Sequence, residues 1–245
     1  MGPATDRDRV ALLLLQARSA VSFTGAGLSK ASGIPTYRDA GGLWTEPGNL
    51  KYSSPEALHE DPEGFAEFWR RRRQELARAE PNAAHRALAR METLLVELRH
   101  VTQNVDGLLT RAGCTEVHEL HGSLARQRCS RCGAQDLEPL GRCPRCGAPA
   151  RPDVVMFGEL LPRETFEAAL HAVRRCEVCL VVGTSAVVQP AAGLVERAAA
   201  GGARIVVVNV EPTAADPLAD IVLRGPAETI LPELAGSIAR LREAR

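Results

Sequence analysis

The chain has 245 residues, 45% of them hydrophobic, enough to bury one large core or a core with a smaller attached unit. Thirty basic side chains offset thirty acidic ones, so no net field draws the protein to nucleic acid or to an anionic membrane. The start, MGPATDRDRV, has no basic stretch leading into a long apolar one, and the apolar run 12–15 is too short to cross a bilayer. A cytoplasmic protein is expected, in which seven cysteines favour metal binding over disulfides.

Residues 8–18 have helical spacing, and residues 20–23 read as a short buried strand that stops at Gly25 and Gly27. A strand, a glycine turn and a helix start together make a diphosphate cradle. The spacing departs from G-x-G-x-x-G, with Lys30 at the third position and Gly33 next, and no acidic strand end follows about twenty residues later. A turn packed tightly between strand and helix is the competing reading. The stretch 37–44 is glycine-rich and expected to be irregular, a segment able to close on a ligand. Within it Arg38 is either a diphosphate contact or a surface arginine. Ser54-Pro55-Glu56 and Asp61-Pro62-Glu63 both read as helix starts. The second helix carries Phe65, Phe68 and Trp69 on one side, then four arginines, of which at least two should be solvated charge.

Residues 82–99 read as an amphipathic helix. The strand after it ends in Gln103, Asn104 and Asp106 before Gly107, and in an open α/β sheet ligands sit outside the carboxyl ends of strands. Turn chemistry accounts for Asn and Asp there but poorly for Gln103. Residues 117–123 repeat the scheme and deliver His121 to a glycine turn. Alternation puts His118 on the opposite side, so at most one of the two serves a site. Cys129-x-x-Cys132 and Cys143-x-x-Cys146 follow, ten residues apart, each pair trailed by a glycine. Four thiolates favour a tetrahedral, structural zinc with no open position, over a disulfide or redox pair. Cys176 and Cys179 share the spacing but run into Leu180-Val181-Val182 and read as strand side chains. Beyond the knuckles come an apolar stretch 153–159, a helix 163–175 and a strand 178–182 ending in Gly183-Thr184-Ser185. A further helix, a strand 204–210 ending at Asn209 and Glu211, a strand 221–223 and a helix from Pro226 complete the chain. The alternation predicts a doubly wound parallel α/β sheet interrupted by the cysteine insertion.

GAGLS, SGIPTYR, TQNVDGLL, HELHGS, the two CxxC pairs, VVMFGE, GTSAVVQPAAG and VNVE occur in this order over nearly the whole chain. Together they resemble the sirtuins, NAD-dependent protein lysine deacylases, of the bacterial type and most like the desuccinylase and deacetylase group. The resemblance implies one catalytic domain over 1–245, with a Rossmann-like lobe (about 1–30, 82–121 and 156–245). A small lobe would comprise about 31–81, helical with the cofactor loop, and 122–155, a four-cysteine zinc ribbon. NAD would be a co-substrate. Its diphosphate would lie on Gly25, Ala26, Gly27 and Ser29, with Pro35, Arg38 and Trp44 in the mobile loop. Its nicotinamide ribose and carboxamide would lie on Gln103, Asn104, Val105 and Asp106. The adenosine half would meet Gly183, Thr184, Ser185, Asn209, Val210, Glu211 and Ala227.

The resemblance makes His121 the catalytic base, with Asn104 and Asp106 beside it, and makes Cys129, Cys132, Cys143 and Cys146 the ligands of one structural zinc. Acyl-lysine would contact Trp69, Arg72, Val154, Phe157, Gly158, Glu159 and Val188, its peptide added as a strand between 154–159 and 187–190. No nucleic-acid or membrane partner is implied. The family chemistry suits these residue types. Nicotinamide leaves as a preformed cation when the acyl oxygen attacks ribose C1′. The ribose 2′-hydroxyl then needs a base near neutral pH, and imidazole serves. Nicotinamide and O-acyl-ADP-ribose result. Two departures stand out. Leu109 replaces a frequent histidine, a change expected to affect packing only. Trp69 replaces tyrosine in the Tyr-x-x-Arg pair that binds acidic acyl groups, leaving Arg72 as the charged fork and one indole N–H. Acetyl, with succinyl and malonyl accepted less selectively, is the expected range. The competing readings are a protein ADP-ribosyltransferase on the same NAD site, an NAD sensor without catalysis, and a zinc-ribbon nucleic-acid binder. His121 at the cradle speaks against the sensor, zero net charge and few aromatics against the last.

Overall fold

The computed structural model describes residues 5–36, 42, 45, 47–139 and 141–244. Helix α1 (Asp6–Gln16) starts in a capping box, the Thr5 side chain accepting from the Asp8 amide. Strand β1 (Ala20–Thr24) follows and is buried throughout. The helix expected after the glycine turn is present as a 3-10 helix, Ala26–Ser32. The Gly27 amide is drawn out of the helix to the Gly183 carbonyl, 2.8 Å away, and Gly33, at φ 81°, closes the element after two turns.

Helices α2 (Pro47–Lys51), α3 (Ala57–Glu60) and α4 (Pro62–Arg78) come next. The start expected with Ser54 as its cap comes two residues later, capped by Glu56, whereas the start at Pro62 is as read. There the Asp61 carboxylate accepts from the Gly64 amide at 3.0 Å and from the Tyr52 hydroxyl at 2.7 Å. Helix α5 (Ala83–Leu94) stops well short of residue 99. Its last leucines fit either period, and residues 98–102 are claimed by the sheet as β2 (Leu98–Thr102), in register with β1 from Ala20↔Leu98 to Thr24↔Thr102.

Then come α6 (Leu108–Arg111), β3 (Val117–Glu119), β4 (Gly122–Cys129) and β5 (Ala150–Val154). The last third holds α7 (Arg163–Arg175), β6 (Val178–Val182), α8 (Gly193–Ala200), β7 (Arg204–Asn209), β8 (Ile221–Arg224) and α9 (Ala227–Glu243). Six strands form one parallel sheet in the order β3-β2-β1-β6-β7-β8, while β4 and β5 pair antiparallel in a separate ribbon. Alternate side chains feed two cores. Leu180, Val182, Val206 and Val208 pack under α1, α5 and α9, and Val21, Phe23, Cys179, Val181, Ile205 and Val207 pack under α7 and α8. The strand order reverses direction between β1 and β6. That crevice, at the carboxyl ends of the strands, is where an open α/β sheet binds its ligand.

Candidate active site

Both loops at the crevice are built around absent side chains. A Cβ on Gly27 stands 2.8 Å from the Gly183 Cα and 2.9 Å from its carbonyl oxygen, and one on Gly25 stands 2.7 Å from the Thr184 Cβ. Gly183 itself has φ +58°. The glycines of the first turn are therefore demanded by the loop after β6, a neighbour neither sequence reading considered. Their close contact forms one wall of a cavity of about 930 Å³ that also takes in Gln103, Asn104, Val105, Asp106 and His121. Such a volume is near the top of the ~300–1,000 Å³ range of ligand pockets.

The polar groups on this wall fix one another. His121 Nδ1 lies 2.9 Å from the Gln103 carbonyl oxygen. A carbonyl only accepts, so Nδ1 carries the hydrogen and Nε2 is left with its lone pair. Burial pulls the ring's pKa below the usual histidine value, against the opposing pull of that carbonyl. A neutral imidazole results. Of the two histidines near β3, only His121 lines the cavity.

Ser29 is the hub of the amide cluster. Its hydroxyl donates to Asp106 Oδ2 at 2.7 Å and accepts from Asn104 Nδ2 at 3.2 Å. It also meets His85 Nε2 at 3.3 Å. Because the Asn82 amide donates to His85 Nδ1 at 3.2 Å, Nε2 is the protonated nitrogen and the donor. Asn104 Nδ2 further donates to the Gly25 carbonyl at 3.0 Å, and the Leu108 amide donates to Asp106 Oδ1 at 2.9 Å. Burial raises the Asp106 pKa. Gln103 Nε2 donates to Thr184 Oγ1 at 2.9 Å, tying β2 to the loop after β6.

The far end of the cavity is lined by Ser185, Asn209, Val210, Glu211 and Ala227, where β7 ends and α9 begins. Pro35 lines it near the first turn, whereas Arg38 and Trp44 lie outside the described residues. Trp69, Arg72, Val154, Phe157, Gly158, Glu159 and Val188 line the cavity as well.

The chain matches the Sir2 family over residues 25–190. An NAD-dependent protein deacylase of Thermococcus kodakarensis is 44% identical over 237 residues, 91% of this chain and 92% of the relative. This chain belongs to the Sir2 family. The solved structure of a mutant Sir2 homologue with ADP-ribose superposes with a TM-score of 0.92 at 37% identity, over 97% of this chain and 98% of the other. Sir2Af2 bound to a myristoylated histone peptide superposes at 0.79 and 33% identity, over 98% and 99%.

The residues of this Sir2 cleft fit NAD. Its first turn offers bare backbone at Gly25 and Gly27, and its centre offers amides, a carboxylate and a neutral imidazole to a ribose. Four cysteines away from the cleft fit zinc. Their Sγ atoms all lie within 4.8 Å of one another, with Cys129 to Cys146 at 3.4 Å and Cys132 to Cys143 at 3.6 Å. A Zn–S bond of about 2.3 Å gives a tetrahedron of edge about 3.8 Å. The two knuckles are copies. The amides of Cys129 and Cys143 donate to the carbonyls of Ala134 and Ala148, those of Gly133 and Gly147 to the carbonyls of Cys129 and Cys143. Gly133 and Gly147 have φ of 70° and 71°. This is a structural zinc site. Cys179 is a buried side chain of β6, as read, whereas Cys176 is not in the strand but caps the carboxyl end of α7.

Two of the side chains lining the cavity are committed to other partners. The Trp69 indole N–H donates to the Tyr52 carbonyl at 3.0 Å, so it is not a donor to the cavity. Its ring packs edge-on against Phe68, centroids 5.1 Å apart. The Glu159 carboxylate is taken by Arg151 at 2.7 Å, Arg128 at 3.1 Å and the Met156 amide at 2.9 Å, and its own amide donates to the Met156 carbonyl. Arg70 and Arg71 pair with Glu67 on the outer face of α4, the solvated pair the sequence implied. Leu109 is buried in the core. His85 was missed. Its spacing from Asn82, that of a capping box, was the available signal.

Proposed function

We propose that this Sir2 protein is an NAD-dependent protein lysine deacylase in which His121 Nε2 accepts a proton from the nicotinamide ribose. The observation that carries the reading is the 2.9 Å contact of His121 Nδ1 with the Gln103 carbonyl, on the wall shared with the glycine turn. It leaves the lone pair of a neutral ring facing the cavity, as a base working near pH 7 requires. NAD supplies a ribose carbon already bearing a cationic leaving group. The chain's part is to bind, orient and exclude water.

Asn104 and Asp106, held by Ser29, orient the ribose and nicotinamide end. Gly25, Ala26, Gly27 and Ser29 take the diphosphate, Pro35, Arg38, Trp44, Gln103 and Val105 border it, and the ends of β6 and β7 with Ala227 take the adenosine. The products are nicotinamide and O-acyl-ADP-ribose. The division into two lobes belongs to the same reading, with acyl-lysine entering between them. The peptide lies as an added strand beside Val154, Phe157, Gly158, Glu159 and Val188. Because the Val155, Phe157 and Glu159 amides already donate to His121, Ser53 and Met156, much of the pairing falls to the other side of the peptide, at 187–190. A reducing, cytoplasmic setting, in which the four knuckle cysteines hold zinc rather than pair, belongs to the same reading.

Acetyl-lysine is the main substrate, with succinyl and malonyl accepted through Arg72. Arg72 is paired with Glu75 and only 12% of its side chain is exposed. With the Trp69 N–H committed to Tyr52, the Arg72 guanidinium is the charged fork offered to an acyl carboxylate among the described lining residues, and it must exchange Glu75 for it. Matched acetyl, succinyl and malonyl peptides test this. Arg72→Met should lower desuccinylation relative to deacetylation at least tenfold; an unchanged ratio removes Arg72 from the acyl pocket.

A further inference from the structure

Toward the carboxyl end of α5, three metal-ligating side chains from successive elements of one short stretch of the chain converge. Glu92 comes from α5, His100 from β2 and Cys114 from the turn between α6 and β3. Their ligand atoms all lie within 4.8 Å of one another. His100 is fully buried and Cys114 nearly so, while the Glu92 side chain is 17% exposed and forms the rim.

We propose that Glu92, His100 and Cys114 form a second metal site, distinct from the four-cysteine zinc, for a single thiophilic divalent ion of the zinc class. The donor set of one nitrogen, one sulfur and one oxygen is that of zinc or cobalt and unlike that of magnesium or calcium. The spacing is close to ready. His100 Nε2 and Glu92 Oε2 are 3.0 Å apart, and an ion with bonds of about 2.0–2.1 Å to each sets them about 3.3–3.4 Å apart in a tetrahedron.

The second ring of contacts is also in place. His100 Nδ1 lies 2.7 Å from Ser22 Oγ on β1. A hydroxyl both donates and accepts, so it can hold the ring in the tautomer that frees Nε2 for a metal. The Thr115 amide donates to both Glu92 carboxylate oxygens, at 3.2 and 3.1 Å, and the Thr115 hydroxyl donates to the carboxylate as well. Binding releases the Cys114 thiol proton to solvent, while the His100 proton moves from Nε2 to Nδ1, where Ser22 Oγ accepts it and Nε2 is freed for the ion. The fourth position faces the Glu92 rim and takes a water. The ion ties α5, β2 and the loop before β3 together, and acts on stability, away from the cleft.

The test uses the full chain with its cysteine-knuckle zinc retained, titrated with cobalt(II). Wild type should take up one added equivalent with a thiolate-to-cobalt charge-transfer band. Cys114→Ser should lose that band, and Glu92→Gln, which keeps the Thr115 contact and sits at the rim, should weaken uptake tenfold or more with an unchanged circular dichroism spectrum. Absence of the band in wild type, or a band of equal strength in Cys114→Ser, overturns the proposal. Should Cys114→Ser fail to fold, the Glu92→Gln titration decides: unchanged cobalt affinity in that folded variant also overturns it.

Discussion

His121 and Gln103 are joined through a ring nitrogen and a main-chain oxygen 2.9 Å apart, and this contact decides which imidazole nitrogen can act. Replacing the ring by a methyl group leaves the cradle of Gly25, Gly27 and Gly183 untouched. His121→Ala should therefore bind NAD with little change, measured by calorimetry, while turnover falls about a hundred- to ten-thousand-fold. Near-normal turnover would remove the residue as the base. In the wild type, protonating Nε2 stops the reaction. Since burial depresses the His121 pKa, the acidic limb of the rate profile should fall below the ordinary histidine value near 6.5.

A second histidine governs stability. Burial lowers the His85 pKa from 6.5 to about 4. Between those values the unfolded chain binds a proton that the folded chain does not, so stability is complete above pH 6.5 and is lost as the pH falls towards 4. The contribution is roughly 3 kcal/mol at most. Melting curves across that window should slope less steeply for His85→Gln than for wild type. Parallel slopes would mean that His85 is protonated without cost.

Cys143→Ser removes one of four thiolates from a site whose metal organises both knuckles. Zinc should be released, and the melting temperature should fall. A loss of about 3 kcal/mol corresponds to roughly 6–12 °C for a chain of this size. Full zinc content with an unchanged melting temperature would contradict a structural ion.

Local patterns were readable wherever local forces decide. Helix α7 and strand β6 fall on the residues read from the sequence, because caps, apolar runs and turns sit next to one another in the chain. The end of α5 was misplaced because leucines at 94, 95 and 98 suit helix and strand alike, and the sheet partner at Ala20 that settles the matter is far away in sequence. The same distance hid the reason for Gly27, whose constraint comes from Gly183. Side-chain commitments were the least legible. Nothing near Trp69 or Glu159 in the sequence announces the Tyr52 carbonyl or the Arg151 guanidinium that engages them. Ser29 with His85, and Glu92 with Cys114, likewise meet only after folding.

The most direct measurement follows nicotinamide and the fate of the ADP-ribose by mass spectrometry, with NAD present and an acetyl-lysine peptide either supplied or withheld. Nicotinamide should appear only with the peptide, matched one for one by O-acetyl-ADP-ribose and free lysine. Nicotinamide released without the peptide, or ADP-ribose left attached to protein, would contradict the deacylase account.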